Sequence, residues 1–331
     1  MVNVGIIGAG AWGKNHVRVC RELEGIHLVK VCDLNEDNLS NLKMTFGVET
    51  TTDYKELVND KSIDAIHICT PASAHFALIK EVLEAEKHVL VEKPITIDSK
   101  QGEILADLAK KMNKVLMVGH IFRFNSGVLK LKDEIEKGTL GKIRFMYGSR
   151  LGLMTPRPDC GVIFDFAIHD IDTACFLLND MPSEVSATSE VYTNSKHEDV
   201  GFITLRFKEN ILVNIAVSWL TPKKVRELWV VGDKKCAKLD YLSQQLDIFD
   251  RGILPEYDSF GAFKLITKEG GEHRPFVQNK EPLKEEIVHF KECIEKGTVP
   301  VSNAVVGVNA VKIVEASYKS IAESKTVKVE L

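Results

Sequence analysis

The sequence has little of what marks a nucleic-acid-binding, membrane or secreted protein. Lysine and arginine form no basic run and do not interleave with aromatic residues, and the formal net charge is −4, so we expect no nucleic-acid partner. No stretch has the length and apolar content of a membrane span. The apolar pattern that begins at Val2 is typical of a strand and not of a signal peptide. These absences predict a cytoplasmic protein that binds no membrane.

Cysteine is present without the patterns that give it a metal or redox role. The seven cysteines are scattered, with no C-x-x-C pair and no spacing typical of a zinc site. Several lie within apolar patterns, which predicts reduced core residues. We therefore expect no metal site. The 331 residues, of which 44% are apolar and 27% charged, contain no internal repeat and suit a globular protein of two domains.

A glycine motif near the start of the chain is the first positive signal. Residues 2–7 form a short apolar run typical of a buried parallel strand, and Gly8, Gly10 and Gly13 follow as G-x-G-x-x-G. In a dinucleotide-binding fold these glycines permit the turn, let a pyrophosphate approach the backbone, and let the helix pack against the strand. A helix over 14–23 would direct its free N–H groups at the phosphates. An ordinary glycine-rich turn is the alternative.

An acidic residue follows at the spacing that this fold requires. A second predicted strand, over 26–32, ends before Asp33, about 20 residues after the glycines. A carboxylate there binds the ribose 2′-hydroxyl of the adenosine and repels a 2′-phosphate, and no nearby arginine can receive a phosphate. We therefore predict NAD(H) as cofactor and not NADP(H). The alternative is a solvated acid at a strand end.

Strands and helices alternate as far as residue 120, which predicts a doubly wound parallel sheet. Ligands of such sheets collect at the carboxyl ends of the strands, where Thr70 and Lys93 fall. A lysine in this position can bind a substrate hydroxyl and stabilise developing alkoxide charge. A surface lysine paired with Glu92 is the alternative, and His75 also fits an ordinary helix histidine.

The pattern changes after residue 120, where sequential strands joined by short polar turns predict an antiparallel sheet. The main predicted elements are strands over 201–207, 211–219 and 227–231, helices over 282–296 and 303–323, and a last strand over 326–331. Residues 252–280 are typical of a long excursion. We predict an α/β Rossmann domain over 1–120, followed by an α+β domain over 121–331 with a large open, mainly antiparallel sheet.

Acidic residues and a histidine share one stripe of a predicted helix in the second domain. Asp165, His169 and Asp172 lie at i, i+4 and i+7. His169 is the candidate general base, because imidazole titrates near neutral pH, and Asp165 can accept its N–H and stabilise the imidazolium. One alternative is that Asp165 and Asp170 only complement the helix N-terminus and that His169 is a surface residue with satisfied hydrogen bonds. The other is a metal site, for which the sequence offers no further ligands.

Together these motifs resemble the glucose–fructose oxidoreductase, inositol dehydrogenase and rhizopine catabolism family, Gfo/Idh/MocA. The segments that carry the resemblance are GIIGAGAWG from Gly5, Asp33, CTPASAH from Cys69, E-K-P from Glu92, and D-x-x-x-H from Asp165. The resemblance implies NAD(P)-dependent oxidation of a secondary hydroxyl on a sugar or cyclitol, with Lys93, Asp165 and His169 as catalytic residues. The expected cofactor-binding residues are Gly8, Gly10, Ala11, Trp12, Gly13, Asp33, Thr70, Pro71, His75, Glu92, Lys93 and Arg123.

Within the family, residues 150–165 and 219–226 resemble enzymes that oxidise C3 of UDP-N-acetylglucosamine. Two arginines just before the catalytic helix, Arg150 and Arg157, are suited to a diphosphate, although solvated loop charges are the alternative for both. The expected substrate contacts are Lys93, Arg150, Arg157, Asp165 and His169.

The activity expected from this resemblance is NAD-dependent oxidation of a UDP-sugar to its 3-oxo form. A dehydrogenase of a free sugar or an inositol is the first alternative. A non-catalytic NAD-bound sugar sensor is the second, and such a protein would be expected to lose the proton-transfer groups that this chain keeps. The resemblance also implies a homodimer or homotetramer formed through the C-terminal sheet.

Overall fold

The computed structural model describes residues 1–157, 159–193, 196–250, 253–257, 263–267 and 270–330. Pro158 in the arginine-containing segment, Leu331 at the end of the last predicted strand, and parts of the predicted excursion over 252–280 lie outside these residues. The chain divides into a first unit, Met1–Phe124 with Glu281–Val311, and a second unit, Asn125–Lys280 with Lys312–Leu331. The sequence-based division at residue 120 assigned all of 121–331 to one domain, whereas the structure groups 281–311 with the N-terminal residues.

The strands are β1 (Val2–Ile7), β2 (Ile26–Cys32), β3 (Glu49–Thr51), β4 (Ala65–Ile68), β5 (His88–Glu92), β6 (Leu116–Gly119), β7 (Ile143–Leu153), β8 (Glu184–Glu190), β9 (Val200–Arg206), β10 (Leu212–Ser218), β11 (Leu220–Gly232), β12 (Cys236–Asp240), β13 (Gln245–Phe249), β14 (Ile253–Tyr257), β15 (Phe263–Thr267), β16 (Glu272–His273) and β17 (Val327–Lys328).

The α-helices are α1 (Ala11–Glu22), α2 (Glu36–Phe46), α3 (Tyr54–Asn59), α4 (His75–Glu84), α5 (Ser99–Lys111), α6 (Ser126–Glu136), α7 (Ile168–Leu178), α8 (Pro282–Lys296) and α9 (Ala304–Glu323). One wider π-helical turn, Ile163–Ala167, leads directly into α7. Short 3₁₀ turns occur at Ala72–Ala74, Ile121–Phe124 and Lys208–Asn210. No helix in the described ranges is long and apolar enough to cross a membrane.

The first unit is built on a parallel sheet. Its described strands pair in the order β3-β2-β1-β4-β5-β6, and each neighbouring pair is parallel. The central strands are buried on both faces: Val4, Ile6 and Ile66 are at most 1% exposed. The strand order reverses between β1 and β4, which is where doubly wound sheets bind ligands. The predicted doubly wound parallel sheet is confirmed.

Local sequence accounts for many helix ends. The side chains of Asn35, Asp53, Asp98 and Asn125 accept hydrogen bonds from backbone N–H groups at the starts of α2, α3, α5 and α6. Gly47 ends α2 in the left-handed region that favours glycine.

The second unit is built on a larger, mixed sheet. Its described strands pair in the order β16-β13-β12-β11-β7-β10-β9-β8-β17, and neighbours are antiparallel except β7 and β10. Helices α6 and α7 pack against one face, on which Met146 and Ile215 are buried. On the other face, Phe145 and Tyr147 are 43% and 42% exposed. The predicted large, mainly antiparallel sheet is confirmed, and within the excursion β14 pairs with β15.

Candidate active site

The three glycines after β1 have different surroundings. Gly8 has a φ of +98°, and a Cβ there would lie 2.6 Å from the backbone oxygen of Cys69. A Cβ on Gly13 would lie 1.9 Å from the oxygen of Gly8. A Cβ on Gly10 would meet none of the described atoms within 4 Å. Packing therefore requires the outer two glycines, whereas the middle one leaves open space beside the backbone.

Helix α1 begins at this open position. No described side chain caps its start at Gly10, so the first N–H groups, those of Ala11 and Trp12 among them, have the free donors and positive dipole end that bind anions. Trp12 is 41% exposed.

Asp33 is held against the glycine loop by backbone donors. One carboxylate oxygen accepts the N–H of Ala9, and the other accepts the N–H of Asn35 at 2.7 Å. Asp33 is partly exposed. A fixed negative charge therefore lies at the end of β2 beside the loop, in agreement with the geometry that the spacing predicted for a ribose-binding carboxylate.

The loop after β4 contains a buried polar atom without a partner. The Thr70 Oγ1 atom has no hydrogen bond to any described residue. Buried polar atoms are almost always satisfied in native proteins. Together with the open space at Gly10 and the uncapped start of α1, this orphaned hydroxyl shows that the first unit fits a dinucleotide.

His75 joins two of the loops at the carboxyl edge of the sheet. It is 1% exposed, and its Nδ1 and Nε2 atoms lie 2.7 and 3.0 Å from the carbonyl oxygens of Pro94 and Thr70. Burial lowers the pKa of His75. The structure thus gives His75 a role in holding the loops after β4 and β5, and cofactor contact by its ring stays a prediction.

Glu92 and Lys93 lie at the end of β5. Glu92 is 8% exposed, and its Oε1 atom is 3.0 Å from Nε2 of His16 on α1. Glu92 is therefore a buried residue that contacts His16, whereas the alternative interpretation of Lys93 assumed a pair at the surface. Lys93 itself is partly buried. Pro71 and Arg123 follow the ends of β4 and β6, and Arg123 donates to the carbonyl of Val301 at 2.8 Å. The roles of all these residues toward the cofactor remain predictions.

Behind the end of β5 lies a buried polar group that the sequence analysis missed. His16 Nδ1 is 3.2 Å from His67 Nδ1. Glu286 on α8 is fully buried, and burial, followed by the nearby charge of Glu92, raises its pKa well above the usual range. Burial also holds the pKa of His67 well below its usual range. No local pattern could have joined residues so far apart in sequence.

The predicted catalytic segment begins with a π turn. Asp165 lies in the turn Ile163–Ala167 and is 7% exposed, whereas His169 lies in the first turn of α7 and is partly exposed. The regular α-helical stripe that the sequence predicted is therefore replaced by a wider turn at its start. Such π turns frequently occur at functional sites.

Arg157 contacts the carboxylate of the predicted catalytic aspartate. Its Nη1 donates to Asp165 at 3.2 Å, while Nε and Nη2 donate to Asp159 at 2.9 and 2.7 Å. The Arg157 side chain is 41% exposed, and its guanidinium lowers the pKa of Asp159. A cation is thus present beside Asp165 and is also accessible to solvent.

Arg150, unlike Arg157, is buried. It is 3% exposed, and its Nε and Nη2 donate to the Asp170 carboxylate at 2.6 and 3.1 Å. This bidentate pair is suited to anchoring α7 on β7. Both arginines pair with carboxylates, but Arg150 is buried whereas the Arg157 side chain is 41% exposed, so Arg157 is the better candidate for binding a diphosphate.

Among the described residues, no group of three or more histidine, cysteine, aspartate or glutamate side chains is arranged to hold a metal ion. For chemistry, the first unit offers a loop suited to a dinucleotide, and the second offers an aspartate, a histidine and an accessible arginine.

Sequence comparisons identify both regions. Residues 2–120 match the family model described as oxidoreductase family, NAD-binding Rossmann fold, and residues 128–238 match the GFO/IDH/MocA C-terminal domain. The chain is 25% identical to myo-inositol 2-dehydrogenase of Thermotoga maritima over 350 residues, covering 99% of each chain. It is 27% identical to UDP-N-acetylglucosamine 3-dehydrogenase of Acidithiobacillus ferrooxidans over 252 residues, covering 76% and 78% of the two chains.

A solved structure of UDP-N-acetylglucosamine 3-dehydrogenase from Acidithiobacillus ferrooxidans has a similar fold. It superimposes with a TM-score of 0.83 at 23% identity and covers 97% of each chain. The two relatives carry the names of different substrates, a cyclitol and a sugar nucleotide, so similarity alone leaves the substrate open.

Proposed function

Because the chain belongs to the GFO/IDH/MocA oxidoreductase family and has its NAD-binding Rossmann domain, we propose that it oxidises C3 of UDP-N-acetylglucosamine to the 3-oxo sugar nucleotide. The observation that carries the substrate part of this proposal is Arg157, a solvent-accessible guanidinium 3.2 Å from Asp165. Guanidinium groups form charge-assisted hydrogen bonds with phosphates, and a diphosphate would compete with Asp159 for Nε and Nη2 of Arg157. Similarity to a UDP-N-acetylglucosamine 3-dehydrogenase supports the same choice.

The first unit would hold the cofactor. The N–H groups at the start of α1 and the open backbone at Gly10 suit the pyrophosphate, and Asp33 suits the adenosine ribose. Among the residues that the structure describes, the Thr70 hydroxyl at the neighbouring strand end has no hydrogen-bond partner. Bound NAD⁺ supplies the hydride acceptor.

The proton would be removed by His169. Its Nδ1 atom is buried, so we assign Nε2 as the atom that takes the proton from the substrate hydroxyl. The negative charge of Asp165 stabilises the imidazolium that forms. Lys93 donates a hydrogen bond to the same substrate oxygen and stabilises its alkoxide character while the carbon is oxidised.

An activity screen tests the substrate class. NAD⁺ is supplied with UDP-sugars, free sugars or inositols, and reduced cofactor is followed at 340 nm, a wavelength at which it absorbs. We expect turnover with UDP-N-acetylglucosamine. Turnover only with an inositol would favour the second candidate function, inositol dehydrogenase, which is supported by the nearly full-length similarity to a myo-inositol 2-dehydrogenase. A protein that binds NAD and turns over none of these compounds would be a sensor.

Substitution tests the catalytic residues. His169→Ala and Lys93→Ala should each lower turnover by about 10²–10⁴-fold, the usual contribution of a positioned proton-transfer group, while NAD still binds by calorimetry. The exposed His27 and Lys110 serve as matched controls, and their alanine variants should keep full activity. If both groups act on one hydroxyl, turnover of the double variant should fall by a smaller factor than the product of the factors for the two single variants. Near-normal turnover in either single variant would remove that residue from the mechanism.

Arg157→Ala tests the diphosphate assignment. Because Arg157 also contacts Asp165, the variant is measured with both a UDP-sugar and the corresponding free sugar at high concentration. We expect KM for the UDP-sugar to rise by at least about tenfold, the value of one charge-assisted contact of roughly 1.5 kcal/mol. An equal effect on both substrates would indicate that Arg157 acts on Asp165 alone.

We also propose that the exposed sheet face of the second unit binds another copy of the chain. Phe145, Tyr147, Trp229 and Phe249 stack across this face, with neighbouring ring centres 5.5–6.2 Å apart. Two of these rings are over 40% exposed, and exposed aromatic patches commonly mark interfaces. Tyr147→Glu should lower the mass measured by light scattering. The same change at Tyr192, which is 71% exposed, should not.

A further inference from the structure

We infer that Glu198 is a positioning residue for the catalytic π turn, an inference that rests on the proposed function of Asp165 and His169. Glu198 is 7% exposed and precedes β9. It lies 33 positions from Asp165 in the numbering of the chain, and no sequence motif connects the two residues. The structure connects them through the backbone of the turn.

Glu198 binds the two backbone N–H groups at the start of the turn. Its backbone oxygen accepts the N–H of Val162 at 3.0 Å, and its carboxylate Oε1 accepts the N–H of Ile163 at 3.1 Å. The first N–H groups of a helix have no partner within the helix and carry its positive dipole end. A buried carboxylate in this position satisfies a donor and complements the dipole.

Gly161 brings the backbone close enough for this contact. A Cβ on Gly161 would lie 1.9 Å from Oε1 and 2.1 Å from Oε2 of Glu198. Any other residue would therefore displace the carboxylate or the turn. The oxygen of Gly161 in turn accepts the N–H of Asp165 at 3.0 Å, so the position of the catalytic aspartate depends directly on this glycine.

Tyr318 on α9 supports the carboxylate from the other side. Its hydroxyl donates to Glu198 Oε1 at 2.8 Å, and its ring stacks on Phe164 of the π turn with ring centres 6.4 Å apart. Burial and the charge of Glu198 raise the pKa of Tyr318, so the hydroxyl keeps the proton that it donates. Gly161, Glu198 and Tyr318 together hold the turn from which Asp165 projects.

The chain offers a closely matched control next to Glu198. Asp199 is fully buried and also carries a carboxylate. Its oxygens accept hydrogen bonds from the N–H groups of Tyr192 and Thr193 at 2.8–3.1 Å. Those amides lie outside the catalytic segment. Substitution of Asp199 should therefore lower stability through the same kind of lost contact, without moving the turn.

The test compares Glu198→Ala, Glu198→Gln and Asp199→Ala by steady-state kinetics and by hydrogen exchange. Glu198→Ala should lower kcat by roughly 10–100-fold, as displacement of a catalytic group by about 1 Å does, with KM for NAD unchanged. Glu198→Gln keeps an oxygen acceptor and should restore most of that loss. Asp199→Ala should keep kcat although its melting temperature falls.

Hydrogen exchange is measured without substrate or cofactor, so it is independent of the reaction. Exchange in peptides covering 162–169 should accelerate in Glu198→Ala and not in Asp199→Ala. Should Glu198→Ala leave both kcat and this exchange at wild-type values, the inference is wrong. If exchange changes but the wild-type protein oxidises no sugar, nucleotide sugar or inositol, the proposed function fails while the structural role stands.

Discussion

Two helix starts in this protein differ in what binds their first backbone N–H groups. Among the described residues, no side chain caps helix α1 at Gly10, and none lies close to the backbone there. The π turn before α7 begins with its backbone N–H groups bound by Glu198. Free N–H groups and a positive dipole end are present at any helix start. An open start remains available to a phosphate, whereas a filled start is fixed in place.

These two arrangements place different demands on rigidity in the two units. At the glycine loop a ligand can complete the hydrogen bonding, so charge there should matter most for binding. At the π turn the partners come from the protein itself, so charge there should matter first for folding and geometry. The four predictions that follow test this contrast.

The largest expected effect is in the second unit, at the buried pair of Arg150 and Asp170. Asp170→Ala leaves a guanidinium that is 3% exposed without its carboxylate, and the loss of one partner of a buried pair costs about 3–5 kcal/mol. Urea denaturation measures the change. The double variant Arg150→Met, Asp170→Leu removes both charges and should recover much of the loss. A cost below about 1 kcal/mol for the single variant, the range of surface pairs, would contradict the anchoring role.

The second-largest effect on stability is expected at the glycines of the first unit. Gly13→Ala places a Cβ 1.9 Å from the Gly8 oxygen and should cost about 3 kcal/mol, the upper range for overpacking. Gly10→Ala meets open space at an ordinary φ of −66°, so without cofactor it should stabilise the protein by about 0.5 kcal/mol. It should nevertheless weaken NAD binding. Equal effects of the two variants on stability would remove the distinction between packed and open glycines.

A smaller change is expected at Asp33. Asp33→Ala should shift cofactor preference toward NADP by about tenfold, equivalent to roughly 1.4 kcal/mol, because the carboxylate that would repel a 2′-phosphate is gone. Dissociation constants for both cofactors measure this shift. Asp33→Asn, which keeps an oxygen acceptor for the backbone N–H groups, separates the effect of charge from that of loop structure. An unchanged ratio of the two dissociation constants would contradict the assignment.

The smallest expected effect concerns pH. His88 Nδ1 accepts the N–H of Val115 at 3.0 Å, and burial lowers the pKa of His88 from 6.5 to about 4. Between these values the unfolded chain binds the proton more readily, so stability is full above pH 6.5 and falls as the pH decreases toward 4. His88→Asn should reduce the stability that is lost between pH 6.5 and 4 by about 1 kcal/mol. The exposed His27 is the control, and a pH profile unchanged by His88→Asn would argue against the depressed pKa.

Much of the fold was predictable because its signals are local. The parallel sheet follows from apolar runs that alternate with helices, and the predicted helix over 282–296 is the observed α8, Pro282–Lys296. The helix that follows β1 starts at Ala11, next to the glycines that predicted it. The π turn was not predictable, because its width depends on partners that lie far from it in the sequence. Residues 227–231 likewise predicted only part of the longer strand β11.

Residue order alone sets the types of residue available at the candidate site: three glycines in one spacing, an acid after the second strand, and a D-x-x-x-H segment. Tertiary contacts set which of these charged side chains are buried. They pair Arg150 with buried Asp170, leave the Arg157 side chain accessible beside Asp165, and bring Glu198 to the start of the π turn. The physical reason is that spacing along a chain reports local geometry, whereas burial and ion pairing depend on which distant segments pack together.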